Sequence, residues 1–274
     1  MKTIIITGAS DGIGLEAARQ LKARGANVVI VGRSPQKTKA AAKELEAPYY
    51  IADFSKLSQV RQLAASIRQD YPKIDVLVNN AGGVFGKRQV TEDGYELTMQ
   101  VNHLAHFLLT NLLMDVLLAS QATVISTSSV ANSRFSDLDI DDLNMEKKFT
   151  ANKAYGNAKL ENILFTKELA RRYGSKGLSA VAFHPGNVAT NFASQSGGIL
   201  KLIYHSPFKK LFRLITPAKG ADTVVWLATT RPGKDWTTGQ YYVKRKIAKA
   251  SPLAYDPVLA RSLWEQSASM ARIK

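Results

Sequence analysis

Hydrophobic and polar positions follow two repeating patterns along the chain. Short β-branched, apolar runs without polar alternation predict buried strands at residues 3–7, 28–31, 49–52, 76–79, 123–127, 179–183 and 240–243. Apolar residues at helical spacing predict helices at 15–24, 36–45, 57–70, 104–119, 154–173 and 221–229. This alternation predicts an α/β fold. We expect a doubly wound Rossmann arrangement with a seven-stranded, mainly parallel sheet and helices on both faces.

Two stretches do not fit the alternation and are interpreted as insertions. They cover residues 137–152 and 191–217. Since neither has the composition of a linker, we expect residues 1–274 to form one domain, in which 191–217 is a lid over the substrate.

Composition narrows the chemistry. The chain has no cysteine and four histidines, so thiolate catalysis, disulfides and cysteine-ligated metals are excluded, and we predict no metal site. The 37 Lys and Arg residues exceed the 22 Asp and Glu residues, which gives a net charge of +15. Much of the excess lies in residues 200–250. A surplus of this kind suggests an anionic ligand, a polyanion or a membrane surface as partner.

The first strand leads into a glycine-rich turn and then a helix. Gly8 permits the tight turn, Gly12 permits close approach of a pyrophosphate, and Gly14 permits close packing of the helix. The phosphates would then lie on free N–H groups at the helix N-terminus. The turn is completed by Ser10, Asp11 and Ile13.

The end of the second strand bears on the choice of cofactor. An NAD site usually has an acidic residue here for the ribose 2′-hydroxyl, but this chain has Arg33, followed by Ser34 and Lys37. An arginine fork suits a phosphate, which favours NADP(H) over NAD(H). The alternative is a solvated arginine at a helix N-terminus.

The next two strand ends supply further candidates for the cofactor site. Asp53, beside Phe54, could accept from an adenine amino group or cap the following helix. The loop Asn80-Ala81-Gly82 follows the fourth strand, where its asparagine could instead hold the loop in place.

Six motifs, in chain order, resemble the short-chain dehydrogenase/reductase family. They are Thr7-Gly8-x3-Gly12-Ile13-Gly14, Asn79-Asn80-Ala81-Gly82, Asn102, Ser128-Ser129, Tyr155-x3-Lys159 and Pro185-Gly186-x-Val188-x-Thr190. Residues 101–110 and 159–165 look most like the retinol dehydrogenase branch.

The resemblance implies four catalytic residues. Tyr155 would be the general acid and base, Lys159 its tuner and a ribose ligand, Ser129 the donor to the substrate oxygen, and Asn102 the holder of a relay water. Tyr155 and Lys159 lie four apart and share a helix face, where an ammonium would lower the tyrosine pKa. The alternatives are a buried tyrosine beside a solvated lysine, and a core asparagine that distorts a helix.

The choice of serine and the remaining cofactor contacts also rest on the resemblance. Strand alternation puts Ser128 and Ser129 on opposite faces, and the family pattern favours Ser129. His184 is interpreted as a packed residue. The cofactor would further contact Thr127, Tyr155, Lys159, Pro185, Gly186, Val188 and Thr190.

The expected function is an NADP(H)-dependent oxidoreductase that interconverts an alcohol and a carbonyl, mainly by reducing a hydrophobic aldehyde or ketone. The alternative is an NADP(H)-binding sensor or scaffold without turnover. Reduction of a carbon–carbon double bond is disfavoured, because similar enzymes use a cysteine for it.

The basic, apolar segment 199–215 has three interpretations: a lid over a hydrophobic pocket, a contact with anionic membrane, and, least favoured, a nucleic-acid site. We expect no nucleic-acid partner and a monomer or homodimer. The N-terminus lacks a signal-peptide pattern, so we expect a cytoplasmic protein, with peripheral membrane contact as the second interpretation.

Overall fold

A computed structural model describes residues 1–188 and 215–273, and in these ranges the strands form one sheet. The strands are β1 (Thr3–Thr7), β2 (Asn27–Gly32), β3 (Tyr49–Ile51), β4 (Val76–Asn79), β5 (Thr123–Thr127), β6 (Ser179–His184), β7 (Tyr241–Val243) and β8 (Lys246–Ile247). Their order is β3-β2-β1-β4-β5-β6-β7-β8, and all pairs except β7–β8 are parallel. The doubly wound sheet predicted from the sequence is therefore confirmed.

The expected number of strands is wrong by one. The eighth strand, β8, pairs antiparallel with β7 after a turn at Lys244 and Arg245, which have φ angles of 50° and 62°. It has only two residues, both exposed. A strand this short has no hydrophobic period, so the sequence pattern could not indicate it.

Helices cover both faces of the sheet. They are α1 (Gly12–Lys22), α2 (Pro35–Leu45), α3 (Leu57–Asp70), α4 (Leu97–Met99), α5 (Ala105–Leu112), α6 (Met114–Ala119), α7 (Ala131–Arg134), α8 (Ala151–Tyr173), α9 (Pro217–Thr229) and α10 (Pro257–Met270). Residues of α1, α2 and α9 form a buried cluster on one face, and residues of α3, α5, α8 and α10 form another on the opposite face.

Two helical regions differ from the prediction. The helix expected at 104–119 is preceded by a π-helical turn, Gln100–Leu104, and is broken between α5 and α6. Helix α10 was not expected. The Asp256 side chain caps its first turn by accepting from the N–H groups of Val258 and Leu259, and Leu263 and Trp264 are buried.

The direction in which strands are added to the sheet reverses between β1 and β4. The connections from β1 to β3 run towards one edge of the sheet, and those from β4 onwards run towards the other. In open parallel sheets, ligands bind at such a switch point, outside the carboxyl ends of the strands. Thr190, most of the expected lid 191–217 and most of segment 199–215 lie outside the described residues. Among the described helices, none is long and apolar enough to cross a membrane.

Candidate active site

A cavity of about 720 Å³ opens at the carboxyl ends of the strands, next to the switch point. Nearly all the residues that the sequence singles out line it. They are Gly8, Ser10, Asp11, Gly12, Ile13, Gly14, Arg33, Ser34, Lys37, Asp53, Phe54, Asn80, Ala81, Gly82, Thr127, Ser129, Tyr155, Lys159, Pro185, Gly186 and Val188. Asn102 does not line the cavity, and Thr190 lies outside the described residues. The tertiary structure thus gathers positions that are far apart in the chain.

The glycine-rich turn is packed directly against the β4 loop. A Cβ on Gly14 would collide with the carbonyl of Gly8 and the amide of Asn80. The Asn80 Nδ2 donates to Thr7 O at 2.9 Å, and Thr7 Oγ1 accepts from the N–H groups of Asn80 and Ala81 at 2.9 and 3.0 Å. These bonds join the end of β1 to the loop after β4 and hold the turn against that loop.

This turn fits a dinucleotide phosphate. Gly8 and Gly12 have φ angles of 66° and 58°, which L side chains rarely adopt. Asp11 Oδ1 accepts from the Gly12 N–H at the start of α1, and no acidic residue occupies the first turn of the helix. The next N–H groups of α1 can therefore bind an anion.

Arg33, Ser34 and Lys37 line the cavity beside the carboxyl end of β2, where the sequence predicts the adenosine of the cofactor. We call this part of the cavity the adenosine end. Lys37 Nζ forms an exposed ion pair with Asp11 Oδ2 at 2.7 Å. Arg33 is exposed and, within the described residues, forms no ion pair. The space beside Gly32 is filled by the side chains of Thr38 and Ser10, so the glycine serves their packing.

Asp53 bonds a neighbouring serine and not the first turn of α3. Its Oδ1 accepts from Ser55 N at 3.0 Å and from Ser55 Oγ at 2.8 Å, which orders the entry to α3. The residue also lines the cavity, as Phe54 does. The N-cap of α3 is Lys56, whose side chain forms no capping bond, and the Leu57 N–H at the start of the helix donates to Asp93 Oδ2 at 2.9 Å. The expected helix-capping role of Asp53 is therefore wrong, and adenine binding stays a prediction.

The two serines after β5 have different surroundings. Ser128 is buried, and its Oγ donates to Lys159 O at 2.7 Å. Ser129 is half-buried, and its Oγ accepts from Ala131 N at 3.2 Å, which leaves its own proton to be donated to a ligand. Both residues line the cavity, but only Ser129 has a hydroxyl proton without an acceptor among the described residues.

Tyr155 and Lys159 lie one turn apart on α8. The Lys159 Nζ is 5.4 Å from the centroid of the half-buried Tyr155 ring, and it donates to Thr127 O at 3.2 Å. Lys159 is 1% exposed, and burial lowers its pKa to about 7, while the nearby Glu161, when it is ionised, acts in the opposite direction. Burial thus makes the Lys159 ammonium easier to deprotonate than that of an exposed lysine.

Asn102 lies behind the cavity wall in the π-helical turn. Its Oδ1 accepts from Gly83 N at 3.2 Å, and its Nδ2 donates to Gly83 O at 2.9 Å and Thr98 O at 2.8 Å. A Cβ on Gly82 would meet Asn102 Oδ1 and approach Lys159 Nζ. The side chain therefore fixes the loop next to Lys159.

Sequence reasoning missed several residues around this site. Glu161 is 1% exposed, and burial raises its pKa to about 8. The sequence pattern that could have indicated this buried carboxyl group is a single acidic residue in the otherwise uncharged run 160–165. His184, which the sequence already predicts to be a packed residue, is buried, and this burial lowers its pKa to about 4. The apolar Val84 and Phe85 and the cation Arg134 also line the cavity, and no motif marked them.

A family model described as short chain dehydrogenase matches residues 2–197. The chain belongs to the short-chain dehydrogenase family. It is 41% identical over 276 residues to the proposed daunorubicin C-13 ketoreductase DnrU of Streptomyces sp. (strain C5), covering 98% of this chain and 92% of that one. It is 36% identical to human retinol dehydrogenase 13, covering 100% and 85%.

Solved structures agree with this assignment. A protein from Mycobacterium paratuberculosis matches with a TM-score of 0.80 and 30% identity, covering 100% of this chain and 94% of the other. The RhlG/NADP complex of Pseudomonas aeruginosa matches with a TM-score of 0.70 and 25% identity, covering 88% and 93%. This short-chain dehydrogenase is therefore an oxidoreductase of alcohol and carbonyl groups that uses a nicotinamide cofactor, and it has retinol dehydrogenase-like relatives.

Proposed function

We propose that the protein is an NADP(H)-dependent reductase of hydrophobic aldehydes or ketones, with Tyr155 as general acid and base. One observation carries the proposal. Tyr155 and Lys159 line the same cavity as the glycine-rich turn, with the lysine Nζ 5.4 Å from the tyrosine ring centroid. A proton donor thus shares a cavity with a dinucleotide-binding turn.

Tyr155, Ser129 and Lys159 have different roles at the substrate oxygen. Tyr155 gives its phenolic proton to that oxygen in reduction and takes it back in oxidation. Ser129 donates a second hydrogen bond to the same oxygen and fixes its position. The ammonium form of Lys159 lowers the tyrosine pKa and brings the proton transfer closer to neutral pH. When bound, the nicotinamide supplies or accepts the hydride.

Cofactor positioning is assigned to the remaining lining residues. The N-terminus of α1 would hold the pyrophosphate, and the 80–82 loop, Thr127 and the 185–188 segment would hold the nicotinamide half. Asn102 is a positioning residue, since it fixes Gly83 and the loop beside Lys159. The water relay expected at Asn102 and the expected contact of Thr190 stay predictions.

Two observations support the choice of NADP(H). Arg33 lines the adenosine end of the cavity without an ion pair among the described residues. The RhlG protein, which has the same fold, is described as an NADP complex. Lys37 adds positive charge nearby, although its ammonium is paired with Asp11.

The cavity walls support an apolar substrate. Val84, Phe85, Val130 and Phe135 line the cavity. Relatives are named for ketone reduction and for retinol dehydrogenation, which are both reactions of alcohol or carbonyl groups. The sensor without turnover is disfavoured, because it would need neither Tyr155 nor Ser129.

The substitution Tyr155→Phe tests the mechanism. We expect it to lower kcat for aromatic aldehydes with NADPH by roughly a hundredfold or more, because the proton donor is lost. The NADPH dissociation constant should change little. Tyr49→Phe, at an exposed residue outside the cavity, is the matched control. Equal turnover by Tyr155→Phe and wild type would refute the mechanism, and no turnover by either would favour the sensor.

The substitution Arg33→Ala tests cofactor choice. It should raise the NADPH dissociation constant about tenfold or more and leave that of NADH nearly unchanged, because only the former cofactor has the 2′-phosphate. Arg24→Ala removes the same charge at an exposed residue outside the cavity. An equal loss of affinity for both cofactors would remove Arg33 from the phosphate site.

We further propose that residues 1–274 act as one domain with 191–217 as its lid, because strands from both ends of the chain share one sheet. Membrane contact through 199–215 and assembly as monomer or homodimer stay predictions. Flotation with anionic liposomes at low salt tests the first, and light scattering tests the second.

A further inference from the structure

The cavity has two ends with different charged residues. Its acidic lining residues among those described are Asp11 and Asp53, both at the adenosine end. The substrate end, beyond Ser129 and Tyr155, is lined by one permanent cation, Arg134, and by the polar residue Asn152. No described acidic residue lines this end.

The backbone around Arg134 is held against α8, the helix that carries Tyr155. It is the last residue of α7, which packs on α8 at Gly156, where a Cβ would collide with the backbone of Phe135 and Ser136. Asn157 Oδ1 then accepts from Asp137 N at 2.8 Å. The end of α7 is therefore anchored to the helix turn that carries Tyr155.

The acidic residues that follow Arg134 in the chain bind lysine side chains or backbone N–H groups. Asp137 pairs with Lys153 at 2.6 Å, and Asp139 pairs with Lys147 at 3.1 Å. Asp142 accepts from the N–H groups of Glu146 and Lys147 at 2.8 and 3.1 Å. None of these three carboxylates forms an ion pair with Arg134.

Arg134 has no carboxylate partner in the described residues. Residues 189–214, which the structure does not describe, contain no Asp or Glu, so they have no carboxylate to offer. The Arg134 side chain is exposed and also forms no hydrogen bond with the described residues. A guanidinium that lines a cavity and has no partner among the described residues is suited to a planar oxyanion.

Other groups near Arg134 are compatible with an anion. His184 lies close enough for the guanidinium to add to the lowering of its pKa to about 4, which is mainly due to burial, so this imidazole is neutral. Asn152 is exposed, lines the cavity and has an amide N–H to donate. The apolar Val130 and Phe135 complete this end.

We propose that Arg134 is a specificity-determining residue that binds an oxyanion of the substrate, a carboxylate or a phosphate, at the end opposite to the reacting carbonyl. The preferred substrate then has an apolar body between a carbonyl and an anionic group. This proposal rests on the proposed reductase function and refines its substrate class.

Matched aldehydes test the proposal. The probes are 4-formylbenzoate, 3-(4-formylphenyl)propanoate, 4-formylphenylphosphonate and the methyl esters of the two carboxylates. For at least one spacer, wild type should have a kcat/KM about tenfold higher for the anion than for its ester, since charged hydrogen bonds of this kind contribute that much or more. The preference should shrink towards ~1 M salt because the site is exposed. The carboxylate and phosphonate arms distinguish the two oxyanions.

The variant Arg134→Gln should abolish this preference mainly through KM, while the kcat/KM of the methyl esters and the NADPH dissociation constant stay within about twofold. Arg134→Lys should keep part of it, because the charge remains without the fork. Lys148→Gln, an exposed lysine of the same segment outside the cavity, should keep all of it. If Arg134→Gln does not fold, Arg134→Lys and the salt dependence of wild type decide.

Three results would overturn the proposal: no preference for anions at either spacer, a preference that survives Arg134→Gln, or a loss of NADPH affinity that accounts for the whole effect. The last would assign Arg134 to the cofactor. Failure of the proposed function is distinguishable, because wild type would then turn over neither the anions nor the methyl esters.

Discussion

The two ends of the cavity differ in packing and in how many of their polar groups have partners. At the nucleotide end, backbone groups and glycines are packed in direct contact, and Thr7 and Asn80 satisfy one another across two strands. At the substrate end, the side chains of Arg134 and Asn152 and the Ser129 proton have no acceptor or partner among the described residues. Packed backbone groups, here the closed end, can bind a cofactor whose chemical structure does not vary. A substrate site, here the open end, instead needs side chains whose hydrogen-bonding groups are not already used within the protein.

The largest effect is expected at the closed end. Gly14→Ala adds a Cβ where the Gly8 carbonyl and the Asn80 amide already lie, so the turn must shift. We expect a loss of about 2 kcal/mol or more in unfolding free energy and weak or absent NADPH binding. Chemical denaturation and fluorescence titration measure the two effects. Gly174→Ala, where a Cβ meets nothing within 4 Å, is the control. Wild-type stability and affinity in Gly14→Ala would show that this end is not closed.

A second effect, with a defined pH dependence, is expected at Glu161, which is buried on α8 two residues after Lys159. Burial raises the pKa of Glu161 to about 8, so the folded protein keeps a proton that the unfolded chain releases above its ordinary carboxyl pKa. Between about pH 4.5 and 8, rising pH therefore lowers the unfolding free energy of wild type. Glu161→Gln has no carboxyl proton to lose, so its unfolding free energy should lack this decrease. Across this pH window, its unfolding free energy should rise by about 1 kcal/mol or more relative to that of wild type.

Urea denaturation of both proteins at several pH values measures this difference. Glu265→Gln, at an exposed residue of α10, should show no comparable change. A Glu161→Gln difference that is constant with pH would mean that Glu161 is already ionised in the folded protein.

The smallest effect is expected at the open end. Asn152 is exposed in the first turn of α8, and its side chain forms no hydrogen bond with described residues. Because alanine has the higher helix propensity, Asn152→Ala should change the unfolding free energy by about 0.5 kcal/mol or less. Asn157→Ala, on the same helix, removes an acceptor of the Asp137 N–H and should cost about 1–3 kcal/mol. Equal melting temperatures for the two variants would show that the hydrogen bond of Asn157 contributes no more to stability than the exposed side chain of Asn152.

Much of the fold could be predicted from the sequence. The bounds of β1, β4, β5 and α3 agree with the hydrophobic pattern, because these elements are buried by regular apolar runs. Helix α10 and strand β8 were missed. The first has few apolar positions that face the core, and the second is too short for any period.

The candidate site was predictable in part. Glycines at a strand-to-helix turn and a tyrosine four residues before a lysine have local spacing that can be recognised in one dimension. Arg134 could not be found in this way, since its place depends on how Gly156 lets α7 approach α8. Lys159 was expected as a simple ammonium, but its burial lowers the pKa to about 7, which only packing determines.

The sequence by itself determined the alternation of strands and helices, the glycine-rich turn after β1, the family and the absence of thiol chemistry. These follow from residue types and short spacings, which do not depend on distant parts of the chain. The tertiary structure decided which of Ser128 and Ser129 keeps a hydroxyl proton without an acceptor among the described residues, and how burial shifts the pKa values of Lys159 and Glu161. It also decided that Arg134 lines the cavity without an ion-pair partner in the described part of the chain. Each of these depends on neighbours far away in the chain, because burial and hydrogen bonding are set by contacts that form only when the sheet is assembled.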